Sequence, residues 1–265
     1  MSTWVIKLGG EVVGSPALPI LAADLAKLTG AIVVHGGGAQ ATALQKKLGQ
    51  EPNIVGGRRV TDDATLEVMK MVVAGKLNVD LCAALGAAGA KPVGLHGASS
   101  LAVRAHKRPP KEIAGVGLVD FGHVGDVDGV NAELLALLVN AGYLPVLACL
   151  GADEKGAVYN INADTVANGV ATALSATGLL LISDVPGVLR DVNDPSSRIA
   201  RLTRAEAEAA IQDGTISKGM VPKMEESFAA IDAGVRQVFV LGRLGAGDLL
   251  RATTDPGSVG TVLVG

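Results

Sequence analysis

Residues 31–48 read AIVVHGGGAQATALQKKL, and the change of character inside this stretch decides the architecture. AIVVH is a short run of strand-favouring residues, three glycines follow at 36–38, and a helical pattern runs from about residue 38 to 48. A strand that ends in glycines and turns straight into a helix is half of a βαβ unit. The same alternation lies upstream, where WVIKL at 4–8 precedes a helical pattern near 19–29. Repeated alternation of this kind predicts a largely parallel sheet with helices on its faces.

Downstream, Thr61 stands where a helix N-cap is expected. Leu66, Met69, Val73 and Leu77 then recur at three- to four-residue spacing, which puts one apolar face on a helix. Gly75 weakens that helix somewhat. Residues 101–129 differ, with alternating segments such as LAVRAH and GLVDFGHVGDVDG between glycine and proline clusters, and they predict antiparallel hairpins inserted into the α/β layout. Asn131 caps a helix through ELLALLVNAG, strand PVLACL follows, and the junction VYNINAD at 158–164 leads into a helix expected to run to about Thr177. Residues 1–177 form the expected first lobe. Residues 178–265 form the second, with strand LLLIS, the turn DVPGVL, a polar loop DVNDPSSR, helices near 203–212 and 219–233, and strands QVFVLG and GTVLVG.

The chain has 265 residues, 49% of them hydrophobic and 18% charged, enough apolar material for one large domain or two lobes. Thirty-five glycines and only 2% aromatics predict many tight turns and a core of Val, Leu, Ile and Ala. A net charge of −3 lacks the basic excess of a nucleic-acid or anionic-membrane binder, so a small-molecule substrate is the working expectation. Cys82 and Cys149 sit in apolar contexts and read as free thiols in a reducing compartment. No stretch reaches the roughly twenty apolar residues of a membrane span, and MSTWVIKLGG has the form of a strand entering a fold, so a soluble cytoplasmic protein is expected.

Several features converge on a bound anion. The glycines of HGGG let backbone N–H groups approach a phosphate or carboxylate at a helix start, although the same glycines serve an ordinary tight turn. KLGGE repeats the device after the first strand. Lys7 is either an edge-strand residue reaching solvent or a cation aimed at a phosphate cradled by Gly9 and Gly10. GGRRVTDD places Arg58 and Arg59 in a glycine turn, where a guanidinium suits a carboxylate. ISKGMVPKM offers Lys218 and Lys223 near a helix start, a conflict with the helix dipole that a polyanion relieves. HGGGAQATA lacks the order of a dinucleotide fingerprint, and neither a P-loop, a protein-kinase motif set, a metal-ligand histidine spacing nor a serine-hydrolase elbow occurs. Glycine cradles, separated lysines, an arginine and an aspartate are an inventory for phosphoryl transfer, which needs positioning and charge neutralisation more than a covalent nucleophile.

The segments KLGG, HGGG, GGRRVTD, AGKLN, AGYLPV, YNINAD, SDVPGVL and GMVPK, in this order, resemble the amino-acid kinase family, in the branch that phosphorylates acetylglutamate. The resemblance runs from Val5 to the terminal GTVLV. It implies a three-layer αβα sandwich with a mostly parallel open sheet. The N-terminal lobe would bind N-acetyl-L-glutamate and form a homodimer, and the C-terminal lobe would bind ATP. The implied reaction moves the γ-phosphoryl group to the side-chain carboxylate of N-acetyl-L-glutamate, an acyl phosphate of arginine biosynthesis, with Mg²⁺ held mainly by ATP oxygens rather than by protein ligands.

By the same resemblance Lys7 and Lys223 stabilise the transferring group, and Asp164 holds both lysines. Gly37, Gly38, Arg59 and Asn160 bind the acetylglutamate. Gly9 and Gly10 cradle the phosphates, and the segments Asp184, Pro186, Gly187, Val188, Leu189 and Thr215, Ile216, Ser217 bind the nucleotide. Within VYNINAD, Asn162 caps or buttresses the turn, and Asp164 could itself be a simple cap. GLHGASS stands where many members have GLSGxDG, and VGGRRVT replaces KxGLRVT, so details of acyl-substrate recognition depart from the pattern. Only about three residues precede the first strand, which leads us to expect no arginine feedback. The rival readings are a kinase for carrier-linked aminoadipate or glutamate, a non-catalytic ligand-binding module, and, third, a nicotinamide oxidoreductase.

Overall fold

The computed structural model describes residues 2–183, 185–217, 220–242 and 244–265. Asp184 and Lys218 therefore lie outside the described residues. The first half contains β1 (Trp4–Leu8), α1 (Leu18–Leu25), β2 (Ala31–His35), α2 (Gly38–Lys47), the short hairpin β3 (Ile54–Val55) and β4 (Arg58–Arg59), α3 (Asp63–Met69), α4 (Asn78–Ala87) and β5 (Pro92–Leu95). It continues through β6 (Val103–Lys107), the hairpin β7 (Lys111–Ile113) and β8 (Gly117–Val119), β9 (Gly125–Val130), α5 (Ala132–Asn140), β10 (Leu144–Ala148), β11 (Leu150–Ala152), β12 (Val158–Asn160) and α6 (Ala163–Ala173). The second half holds β13 (Gly178–Ser183), β14 (Arg201–Thr203), α7 (Arg204–Gln212), α8 (Met220–Asp232), β15 (Val238–Gly242), α9 (Asp248–Thr254) and β16 (Thr261–Val264).

One eight-stranded sheet runs through both halves in the order β14-β16-β15-β13-β1-β2-β10-β5. Its pairs are parallel except β15–β16. The uninterrupted apolar runs are explained by burial on both faces: every residue of β2 and β10 is buried, as are Val5, Ile6 and Leu8 of β1. Helix α6 packs on β1, β2 and β13 beside α8, and α5 packs on β2 and β10. Helix α1 packs against α4 and α9, and the right-handed crossovers β1–β2 and β2–β5 put α1 and α4 on the face opposite α5 and α6. The three-layer sandwich expected from the sequence is the observed one.

From β1 the chain moves to β2 on one side, and it returns much later to β13 on the other. The C-terminal ends of β1 and β13 thus flank a topological switch point, where open parallel sheets leave a crevice for ligands. The antiparallel insertion expected over 101–129 forms as the β7–β8 hairpin and as the β6–β9 pair within a four-stranded sheet β12-β11-β6-β9, and a further hairpin, β3–β4, lies outside that region.

Three sequence expectations need correction. The cap of α3 is Asp62, whose carboxylate accepts the Thr65 N–H at 2.8 Å. Thr61 instead bridges to Gly122, its carbonyl accepting His123 N–H. Second, α6 ends at Ala173 rather than near Thr177, because Ser175 turns left-handed (φ 45°) before β13. Third, α3 does not continue as a plain α-helix but widens into a π-helical stretch at Lys70–Leu77 that contains Gly75, before α4 resumes. Strand β14 and helix α9, which the sequence reading passed over, are three and seven residues long, too short for their periodicity to register.

Candidate active site

The glycine turns after β1 and β2 lie against each other. Gly36 N–H donates to the Leu8 carbonyl at 3.0 Å. A Cβ on Gly10 would sit 2.7 Å from Gly37 Cα, and a Cβ on Gly37 would sit 2.5 Å from Leu77 Cδ1 and 3.0 Å from Val73 Cγ2. At Gly10 the obstacle is backbone, so that glycine serves close approach of the two turns; at Gly37 it is the buried Leu77 and Val73 side chains packed over the turn. Gly38 opens α2 with free space over its Cα. Over Gly9, the flexible Glu11 carboxylate lies where a side chain would be.

His35, fully buried at the end of β2, fixes this region from behind. Its Nδ1 lies 3.0 Å from the Gly36 carbonyl and its Nε2 lies 3.0 Å from Asn78 Nδ2. Asn78 also donates to the Val146 carbonyl at 3.0 Å. An amide nitrogen can only donate, so Nε2 accepts and the proton resides on Nδ1. Burial lowers the His35 pKa and keeps the ring neutral. Asn78 was quoted in the sequence motif AGKLN but given no role; nothing local in the sequence says that it meets a histidine 43 residues away.

Lys7 is not on an edge. β1 is central, and Lys7 pairs in register with Val34 on one side and Leu181 on the other. Its Nζ lies 3.1 Å from Asp164 Oδ1, with the side chains only 13% and 24% exposed. Asp164 is in the first turn of α6, whose cap is Asn162: the Asn162 Oδ1 accepts the Asp164 N–H at 3.0 Å. The capping role therefore belongs to Asn162, which leaves the Asp164 carboxylate to the lysine. Ala163, between them, reaches within 3.5 Å of the position of a Gly36 Cβ, so the positive end of α6 adjoins the glycine turns. Cys149 is buried behind the pair, its thiol pushed up to about 12 by desolvation. Cys82 is also free and half-buried.

Lys223 lies in the first turn of α8, the helix packed against α6. Glu226, one turn further, has its carboxyl raised by desolvation and then by the charge of Asp164, against the pull of Arg58 and Lys223. A cavity of about 490 Å³ separates α6, α8 and β9 at this point, lined in part by Thr165, Asn168 and Glu226.

On the α2 side, Arg59 is held by three acceptors. Its Nη2 donates to the Gly38 carbonyl at 2.9 Å and to Thr42 Oγ1 at 2.6 Å, and Nη1 donates to Gln45 Oε1. Gln45 is buried and donates in turn to Thr65 Oγ1 at 3.1 Å. Both Arg59 Nη2 hydrogens are thereby spent, and its Nε and second Nη1 N–H groups have no partner among the described residues. Asn160 ends β12, with its N–H on the His123 carbonyl at 2.8 Å and its side chain on Thr61 Oγ1 at 3.1 Å. Thr61, Thr42 and Gln45 are thus supports that the sequence reading missed.

The expected nucleotide segments follow β13 and α7. Gly187 takes φ 146° and a Cβ there would meet Thr261 Oγ1 at 2.8 Å. Val188 N–H donates to that same hydroxyl at 2.8 Å, and the Thr261 hydroxyl donates in turn to the Ile199 carbonyl at 2.6 Å. Leu189 bridges to Arg198, and Pro186 is partly exposed. Thr215 N–H is held by Asp213 at 2.8 Å, and Ser217 is exposed. Val188 and Ile216 are buried, so only their backbones can face a nucleotide. Among the described residues, no hydrogen bond joins these two segments to the Lys7–Asp164 pair.

A charged pair at a switch point, two facing glycine turns and a forked arginine define a protein that binds anions between strand ends. Residues 2–242 match the amino acid kinase family, and the chain belongs to it. It is 66% identical over 266 residues to the acetylglutamate kinase of Sorangium cellulosum (strain So ce56), covering 98% of this chain and 94% of that protein. It is 58% identical over 271 residues to the acetylglutamate kinase of Anaeromyxobacter sp. (strain K), covering the whole of both. The N-acetylglutamate synthase of Neisseria gonorrhoeae complexed with coenzyme A and N-acetyl-glutamate shares the fold, with a TM-score of 0.83 at 23% identity. All of this chain matches, but it spans only 59% of that synthase chain.

Proposed function

We propose that the protein transfers the γ-phosphoryl group of ATP to the side-chain carboxylate of N-acetyl-L-glutamate, giving N-acetyl-L-glutamyl 5-phosphate and ADP in arginine biosynthesis. The observation that carries this reading is the Lys7–Asp164 pair at 3.1 Å, set between the two glycine turns at the switch point of an amino acid kinase sheet. Full-length identities of 66% and 58% to acetylglutamate kinases support the choice of acceptor.

In the proposed reaction Arg59 and Asn160 hold the acceptor beside the Gly37–Gly38 turn, with the acceptor's side-chain carboxylate directed at the γ-phosphorus. Its oxygen forms the new P–O bond while the bond to the ADP oxygen breaks. Lys7 and Lys223 neutralise charge on the transferring oxygens, and Asp164 keeps Lys7 directed at them. Gly9 and Gly10 face the phosphates, and the 186–189 and 215–217 backbones hold the nucleotide together with Asp184. Mg²⁺ supplies further charge neutralisation when it arrives on ATP. Among the described residues no group of three or more His, Cys, Asp or Glu is placed to hold a metal, and the Asp164 carboxylate lies 3.1 Å from Lys7 Nζ.

The lobe assignment, acceptor in 1–177 and nucleotide in 178–265, the homodimer and the cytoplasmic location are parts of the same proposal. Of these, the described helices say only that none is long and apolar enough to cross a membrane. The test is a hydroxylamine-trapped acyl-phosphate assay with MgATP, run beside sedimentation. Failure of acetylglutamate to stimulate ADP formation sinks the proposal. Faster turnover of carrier-linked glutamate or aminoadipate than of free acetylglutamate redirects it to the carrier-dependent reaction.

A further inference from the structure

Gln40 lies in the first turn of α2, two residues past the HGGG run, and neither its motif nor its position marked it as functional. Its Nε2 donates across to the Gly10 carbonyl, thirty residues earlier in the chain. That carbonyl also accepts Val13 N–H at 3.2 Å within its own turn. The amide orientation is forced, because a flip would set Oε1 against the Gly10 oxygen, acceptor against acceptor. In the observed orientation Oε1 is buried with no hydrogen-bond donor among the described residues, and it lies 2.7 Å from where a Gly10 Cβ would be. A buried acceptor left unpaired at the gap between two turns calls for an explanation beyond ordinary packing.

On the reading given above, the turn after β1 faces the phosphates and the turn after β2 faces the acceptor. We propose that Gln40 is a positioning residue for phosphoryl transfer: its amide ties the phosphate turn to the acceptor turn and so sets the distance the γ-phosphoryl group must travel. The backbones already touch through Gly10 and Gly37, so the tie fixes a separation the glycines make possible. Misplacing the partners of a transfer step by about 1 Å costs on the order of a hundredfold in rate while leaving each site able to bind.

Two substitutions test this in the full-length protein. Gln40→Met keeps length and bulk but cannot donate. It is expected to lower kcat about 10- to 100-fold, with KM for ATP and acetylglutamate within about threefold of the parent. Gln40→Glu donates to the Gly10 carbonyl only when protonated, so its kcat relative to the parent should rise at least about threefold from pH 8 to pH 5.5. Hydrogen exchange needs no turnover: Gln40→Met should raise exchange in residues 8–13 and 36–41 together. A Gln40→Met enzyme within twofold of the parent kcat, a loss confined to KM, or unchanged exchange in both segments overturns the proposal. If the parent protein makes no acyl phosphate, the functional reading fails instead, and the exchange measurement alone decides whether the tie exists.

Discussion

Replacing Asn78 with alanine isolates the tether behind the HGGG turn. Asn78 is 6% exposed and spends both amide hydrogens, one on His35 Nε2 and one on the Val146 carbonyl, each at 3.0 Å. Alanine leaves the buried His35 Nε2 without its donor, at about 1–3 kcal/mol, and takes a second, smaller bond from the Val146 carbonyl, which stays in the β10–β5 ladder. Alanine's better helix propensity returns about 0.6 kcal/mol at the start of α4. The net expectation is a loss of about 1–3 kcal/mol, read as a shift of the urea midpoint at unchanged slope by circular dichroism. Cys82→Ala is the control, since the thiol's only tie to Asn78 is a weak 3.8 Å contact, and it should cost less than about 1 kcal/mol. An Asn78→Ala protein within about 0.5 kcal/mol of the parent, or a Cys82→Ala loss as large, would refute the argument that this amide holds His35 and β10 together.

The same histidine predicts a pH dependence. Burial depresses its folded pKa below the ordinary 6.5, so the unfolded chain takes up a proton first as pH falls. The stabilisation is fully present above about pH 6.5 and is lost as pH falls through the folded value; urea titrations at pH 7.5 and 5.5 should show a smaller loss in His35→Gln than in the parent. Asp164→Asn keeps the α6 cap, which belongs to Asn162, but removes the charge beside Lys7. It should cut kcat on the order of 100- to 1000-fold with little change in melting temperature, and a small kinetic effect would reassign Asp164 to a structural role. Arg59→Lys cannot span Gly38, Thr42 and Gln45 while keeping N–H groups for a ligand, so KM for acetylglutamate should rise about tenfold or more at similar KM for ATP; equal increases in both would contradict that division.

Much of the fold was legible because its causes are local. AIVVH followed by three glycines had to be a strand end, since nothing else accommodates that run and that turn, and Asn131 and Asn162 cap the helices whose starts they mark. The errors arose where a neighbour distant in sequence won. Thr61 has the chemistry of a cap but is claimed by the 121–123 segment, so Asp62 caps instead. Lys7 could not be placed on an edge or in the centre from WVIKL, because that depends on β13, more than 170 residues later, adding to the far side of β1.

The sequence by itself determined the element types, the glycine turns and the residues that could carry charge, since backbone freedom and apolar spacing are properties of a few consecutive residues. Tertiary structure alone decided that β1 lies at the switch point and that Asn78 and Gln40 tie His35 and Gly10, and it supplied the Lys7–Asp164 contact that a family resemblance had implied. Those are pairings of single polar groups across long loops. Which donor finds which buried acceptor is settled by the packing of the whole sheet rather than by any local preference.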